Sequence, residues 1–147
     1  MALGGGNLYF LKNEGLKPYG VDISDIAIKS FGDDFEDRLS VCDICDLSNF
    51  REFDLIYGIG SLECNKKSDL PKIINEVHKA LKIGGRGFFT IGSNFYHGDK
   101  ITPGCINKDE AKELFNIFHD LSIDTITRTY ENGSKLSEGL EITFVKG

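Results

Sequence analysis

Apolar residues recur along this chain with two different periods. In "KSDLPKIINEVHKAL", Leu70, Ile73, Ile74, Val77, Ala80 and Leu81 fall three and four apart, the stripe of an amphipathic helix. Ser68 is placed to cap that helix, Pro71 suits its first turn, and Gly84 and Gly85 would stop it. The same spacing in "NKDEAKELFNIFHDL" predicts a second helix, capped by Asn107, with Ala111, Leu114, Phe115 and Phe118 turned inward. Two shorter helices are predicted nearer the start. One covers residues 7–13, with Leu8 and Leu11 on one face and Gly15 as C-cap. The other starts at Ser24 and runs over Ile26, Ala27 and Ile28 toward Phe31. Extended segments lie between: residues 17–23, "DRLSVCDI" with Leu39 and Val41 on one side, "REFDLIYGIG" centred on residues 53–57, and the apolar "RGFFTIGS". After a loop over residues 94–106, the second long helix leads to "SIDTITRTY" and "LEITFVK", two alternating strands joined by "ENGSKLSEG".

Strands that alternate with helices predict a parallel α/β sheet. The two final strands, joined by a loop alone, predict an antiparallel pair at one edge. Repeats, linkers and low-complexity stretches are absent from the pattern, so residues 1–147 read as one domain. With 40% hydrophobic and 27% charged residues, a chain of 147 residues can bury a real core. The net charge of −6 comes with no basic stripe, which argues against a nucleic-acid partner. The apolar runs are far shorter than a membrane span, and the first residues do not read as a secretion signal. The expectation is a cytoplasmic protein with no membrane partner. Cys42 and Cys45 form a C-x-x-C, which could suggest zinc or redox chemistry, but Cys64 and Cys105 stand alone and supply no second pair. Reduced structural thiols and no metal are expected.

The chemistry is concentrated in "GGGNLYFLKNEGLKPYGVDIS". Gly4, Gly5 and Gly6 would let the backbone approach a cofactor closely. Asp22 ends the strand that follows, where its oxygens can accept from both hydroxyls of a ribose; the lesser alternative at a strand-to-helix junction is a helix cap, as Ser24 could also be. This pattern alone fits dinucleotide enzymes and other nucleoside-cofactor enzymes. Three features separate them. Tyr9 stands where the third glycine of G-x-G-x-x-G would be. Asp43 ends the next strand, where it could accept from an adenine amino group or make local bonds around Asp46. The terminal antiparallel pair is foreign to the simplest dinucleotide folds.

At "GGGNLYFLKNEG…YGVDIS", "VCDICDL", "FDLIYGIGSLEC", "INEVHKALKIGG" and "GFFTIGS", in that order, the chain resembles the class I S-adenosylmethionine-dependent methyltransferases of the small methyltransferase-domain type. The resemblance implies a Rossmann-like three-layer α/β sandwich, mostly parallel with a C-terminal antiparallel strand, and S-adenosylmethionine as cofactor. It places the methionine portion on Gly4 and Gly6, the ribose on Asp22 and the adenine on Asp43, with Ile23 and Ile44 flanking the ring and Gly58 beneath the cofactor. One departure stands out. The family's first strand precedes the glycines and carries an acid two residues before the first of them; here Met1, Ala2 and Leu3 precede Gly4, with Ala2 at the acid's place. Three residues make a strand of roughly 10 Å. The first strand is therefore expected to be largely missing, its neighbours poorly bridged, and the fold marginally stable. A second copy of the chain would then be recruited to cover the gap, giving a homodimer.

On the acceptor side, Glu63, Tyr96 and His97 follow strands at the mouth of the expected pocket and could orient an acceptor or take a proton; each could also be an ordinary loop residue. His78 and His119 read as structural. A sulfonium methyl is already activated, so in-line positioning supplies most of the acceleration. The implied activity is methyl transfer to a small molecule. The rivals are a catalytically degenerate remnant acting as an interaction module, and an NAD-type oxidoreductase.

Overall fold

The computed structural model describes residues 6–50, 52–96, 103–129, 131–133 and 135–147. In chain order the elements are α1 (Gly6–Asn13), β1 (Gly20–Asp22), α2 (Asp25–Lys29), β2 (Leu39–Val41), β3 (Phe53–Ile59), α3 (Leu70–Ala80), β4 (Leu81–Tyr96), α4 (Lys108–Leu114), β5 (His119–Thr129) and β6 (Lys135–Val145). Short 3-10 turns connect them at Gly32–Arg38, Ile44–Asn49, Leu62–Cys64 and Lys67–Asp69. The parallel pairings are β1 with β2 and β3 with β4; β6 runs antiparallel between β4 and β5. The α/β architecture and the antiparallel C-terminal pair expected from the sequence are thus present.

The core follows the helical stripe. Leu70, Ile73, Ile74, Val77 and Ala80 of α3 are buried together with Leu81. They join Phe89, Ile91, Leu140, Ile142 and Phe144 of β4 and β6, and Ala111 and Phe115 from the α4 region. The Phe144 ring lies over Gly87, where a Cβ would come within 2.0 Å of it, so only glycine fits there. A second small cluster sits under α1: Leu8, Phe31 and Phe35, with Leu39 against them.

Four local expectations differ. The residue before α3 is Asp69 rather than Ser68; a 3-10 turn over Lys67–Asp69 leads into the helix, and the Ser68 hydroxyl donates to the Asp69 carboxylate at 3.1 Å. Gly84 and Gly85 do not stop α3, which ends at Ala80 as Leu81 turns extended. They form an irregularity inside β4 instead: Gly84 adopts φ +75°, and the pair exchanges backbone bonds of 2.8 Å with Lys146. The segment predicted as a strand over residues 17–23 is extended but ladders only at Gly20–Asp22. Pro18, with no N–H to donate, stands just before it. The second long helix closes at Leu114, yet Phe115 and Phe118 beyond it are buried as expected. Its Asn107 cap is present in full: the side chain accepts from Asp109 and Glu110 N–H, and Glu110 accepts from the Asn107 N–H.

The sheet is split. Among the described residues no strand pairs with the free edge of β1 or of β3, so a two-stranded and a four-stranded sheet stand apart. They meet at the rings of Tyr19 and Phe53, 5.9 Å between centroids. Between them lies a cleft of about 270 Å³ that runs from Pro18 and Phe53 to Gly58 and Ser61, with Leu11 of α1 on its wall. Leu16 and Leu55 line it and remain half exposed. Residues 1–5, which include the expected strand stub Met1 to Leu3 and the glycines Gly4 and Gly5, lie outside the described residues. Among the described residues no helix is long and apolar enough to cross a membrane.

Candidate functional site

β1 and β2 end side by side. Asp22 aligns with Val41, and the Cys42 N–H extends the ladder by donating to the Asp22 carbonyl at 2.9 Å. The Asp22 side chain accepts from the Ser24 N–H at 2.8 Å through one oxygen. Ser24 in turn caps α2, accepting from the Ala27 N–H at 3.2 Å. The helix cap is therefore Ser24, while Asp22 fixes the turn before it and keeps its second oxygen unengaged among the described residues. Asp43 repeats the device one strand over: one oxygen accepts from the Cys45 N–H at 2.8 Å and opens the 3-10 helix Ile44–Asn49. Both acids make the local bond that the sequence allows as an alternative, each through one oxygen. Beside them Ile23 is 75% exposed and Val41 54% exposed, bare apolar surface at the ends of the strands. Ile44 is partly buried and packs against the main core.

The Ile44–Asn49 helix is tied down from below by a residue the sequence reading does not single out. Glu76, on α3, is buried. It accepts the Ser48 N–H at 3.1 Å, the Ser48 hydroxyl, and the Lys79 ammonium at 2.8 Å. The Lys79 and Ser48 bonds hold its carboxyl down to about 2. The available sequence signal is an acid standing within the apolar stripe of α3.

The end of β3 forms the third wall. A Cβ at Gly58 would come within 2.6 Å of the Phe89 ring and of Ser61 Oγ, so the strand end admits only glycine. Gly60 adopts φ +64°, and its N–H donates to the Thr90 carbonyl and hydroxyl at 3.2 and 3.1 Å. This turn leads into Leu62–Cys64, anchored by the fully buried Leu62. Glu63 follows Leu62. Its carbonyl accepts the Gly104 N–H at 3.0 Å, and Gly104 lies so close that a Cβ there would be 2.9 Å from Glu63 Cα. Ser61 Oγ and Glu63 Oε2 are buried without a hydrogen-bond partner. Burial pushes the Glu63 carboxyl above the ordinary glutamate value, against the opposing pull of its own N–H, the Gly92 N–H and the Arg128 guanidinium.

The structure thus brings Asp22, Ile23, Asp43, Ile44, Gly58 and Glu63 to the ends of β1, β2 and β3. Gly6 opens α1, Gly4 and His97 lie outside the described residues, and Tyr96 ends β4 with its side chain outside the description. His78 rests against the Phe118 ring at 5.3 Å, its imidazole pushed down by burial and by Lys146. Cys42 and Cys45 are free thiols, raised first by burial and then by the neighbouring acids.

The donor set fits an adenosine-type cofactor. One carboxylate oxygen on each of two neighbouring strand ends is available to accept from sugar hydroxyls or an exocyclic amine, and the exposed isoleucine and valine offer the apolar flank a planar base requires. A family model described as "Methyltransferase domain" matches residues 2–89, more than half of the chain. Among curated protein sequences none matches. Solved structures do. A SAM-dependent methyltransferase from Archaeoglobus fulgidus superposes with a TM-score of 0.78 at 14% identity, over 97% of this chain and 81% of that one. TehB from Haemophilus influenzae gives 0.73 at 15% identity, over 97% and 54%. Phosphoethanolamine N-methyltransferase 2 from Haemonchus contortus, in complex with S-adenosyl-L-methionine, gives 0.72 at 18% identity, over 97% and 46%. The chain spans about half the length of the last two. At these identities the superpositions speak for the fold, and the family match speaks for descent: the chain belongs to the methyltransferase-domain family of class I S-adenosylmethionine-dependent methyltransferases.

Proposed function

We propose that this chain binds S-adenosylmethionine across the ends of β1, β2 and β3 and passes its methyl group to a small-molecule acceptor. The observation that carries the reading is the matched pair Asp22 and Asp43, each held through one oxygen by the amide two residues on and each keeping the other oxygen for a ligand. In this reading Asp22 accepts from the ribose hydroxyls and Asp43 from the adenine amino group. Ile23 and Ile44 flank the ring, Gly58 lies beneath, and Gly4 and Gly6 border the methionine portion. The bound cofactor supplies an activated methyl on a sulfonium centre. The chain's own task is to hold the acceptor in line and to exclude water, with Glu63, Tyr96 and His97 on the acceptor side. A net charge of −6 supports a small acceptor rather than a nucleic acid, and free thiols suit a cytoplasmic setting.

The rival reading is a remnant that keeps the fold and does not bind the cofactor. Calorimetric titration with S-adenosylhomocysteine and with NAD separates the two. Saturable binding of the first and none of the second supports the methyltransferase; binding of neither supports the remnant.

A further inference from the structure

β5 is the last strand of the four-stranded sheet, and among the described residues no strand pairs with its outer edge. The N–H and C=O groups directed outward there form a template on which another strand can pair. The edge is also unguarded. From Ser122 to Arg128 its register with β6 is regular, and "SIDTITR" holds no proline, lysine or bulge to turn a strand away. Ile123 is buried in the core, so the alternation of a strand puts Asp124, Ile126 and Arg128 together on the opposite face. Asp124 and Arg128 are exposed, and their charges are unbalanced within the chain. Asp124 stands directly across from Glu141 of β6, a like-charge pair that costs stability. Among the described residues no cation forms an ion pair with either acid. Asp124 accepts from the Ser122 hydroxyl at 3.0 Å. Arg128 lies across from Ser137 and pulls on the Glu63 carboxyl without an ion pair to it. Four positions along a strand span about 13 Å, beyond the screening length of about 10 Å at ordinary salt, so Asp124 and Arg128 do not neutralise each other.

We propose that β5 is an interaction edge whose partner is a second copy of this chain, paired antiparallel about Ile126. A two-fold axis at Ile126 sets each residue against the one equally far along on the other side. Asp124 then meets Arg128 of the second copy, and Arg128 meets Asp124 of the second copy, directly opposed on one face, where opposite charges attract. On the other face Thr125 meets Thr127 of the second copy, a pairing that strands favour. The charges select this register. Centred on Asp124 or on Arg128, the pairing sets like charges face to face; centred on Thr125 or Thr127, it sets each charge against an uncharged residue. The arriving guanidinium also offsets the repulsion between Asp124 and Glu141 that a single copy carries. A foreign strand offers backbone pairing alone, whereas the chain's own β5, read in reverse, brings its cation and its anion at the spacing this edge presents. The pairing joins two four-stranded sheets into one and uses up both β5 edges, so association closes at two copies. It does not depend on the cofactor reading, whose residues lie at the ends of β1, β2 and β3.

The test is sedimentation velocity of the whole chain at rising concentration, with two charge reversals. The wild type is expected to form a dimer that weakens as salt rises. Asp124→Arg and Arg128→Asp each set like charges face to face at both ends of the pairing, so either variant alone should dimerise about tenfold or more weakly. Mixed in equal amounts, the two variants are expected to recover association, because one then presents two cations to the two anions of the other. Asp124→Asn and Arg128→Gln guard against a reversal that fails to fold, and each should also weaken the dimer. Hydrogen exchange of the wild type should slow over Ser122–Arg128 as the dimer forms. A wild type that stays monomeric up to about 1 mM overturns the proposal. So do reversals that associate as the wild type does, a mixture no stronger than its parts, or association that continues past two copies.

Discussion

Removing the Glu76 carboxylate should cost stability in a way that depends on pH. Glu76 accepts three bonds; the one from Lys79 lowers the carboxyl most, but its ammonium is exposed and solvent screening discounts it for stability. A surface partner contributes about 0–1 kcal/mol, whereas a hydrogen bond to a charged buried group contributes about 1.5–3 kcal/mol. Two such bonds from Ser48 therefore put the loss in Glu76→Ala at about 3–5 kcal/mol, in line with other broken buried pairs. For a domain near this size each kcal/mol moves the melting midpoint by about 2–4 °C, so the expected drop is about 6–20 °C. The carboxyl is depressed from 4.5 to about 2 in the folded chain. Its contribution is therefore complete above pH 4.5 and fades as the pH falls toward 2. Thermal melts by circular dichroism, at neutral pH and in steps down through that window, should show the gap between wild type and Glu76→Ala closing. A gap that is the same at both ends of the window, or smaller than about 1 kcal/mol at neutral pH, would refute the reasoning. Because Ser48 belongs to the Ile44–Asn49 helix, the variant should also loosen Ile44 and Asp43 and weaken cofactor binding.

Other outcomes follow from the tight strand end and from the thiols. Gly58→Val would force a side chain against Phe89 and Ser61, a destabilisation of about 1–3 kcal/mol by denaturant melts. A variant as stable as the wild type means that this strand end is looser than described. Metal analysis of the purified chain should find well under one zinc per molecule, and a stoichiometric ion would reverse the reading of Cys42 and Cys45 as structural thiols.

Much of this fold is legible in the sequence where the signal is local. The α3 stripe, the Asn107 cap and the Ser24 cap depend on residues three or four apart, and each stands where its spacing puts it. Distance along the chain is what hides the rest. Glu76 looks like a misplaced acid until Ser48, twenty-eight positions away, is seen to fill its coordination. Gly84 and Gly85 read as a helix stop, because their bonds to Lys146 at the far end of the chain leave no trace nearby. The order of motifs carries the position of Asp22 and Asp43. Only the packing of Gly104 and Leu62 around the turn shows that Ser61 and Glu63 bury polar atoms without a partner.

The central claim is that Asp22 and Asp43 are the polar anchors of an adenosine-type cofactor. Calorimetric titration of S-adenosylhomocysteine into wild type, Asp22→Ala and Asp43→Ala tests it most directly. The account predicts one site per chain in the wild type, with the largest loss of affinity, about tenfold or more, in Asp22→Ala. Each variant also loses one local bond, from the Ser24 N–H in Asp22→Ala and the cap of Ile44–Asn49 in Asp43→Ala, so melting midpoints should fall by the few degrees that about 1 kcal/mol costs while the protein stays folded. Equal affinity in wild type and Asp22→Ala would contradict the account and leave Asp22 as the anchor of a turn and nothing more.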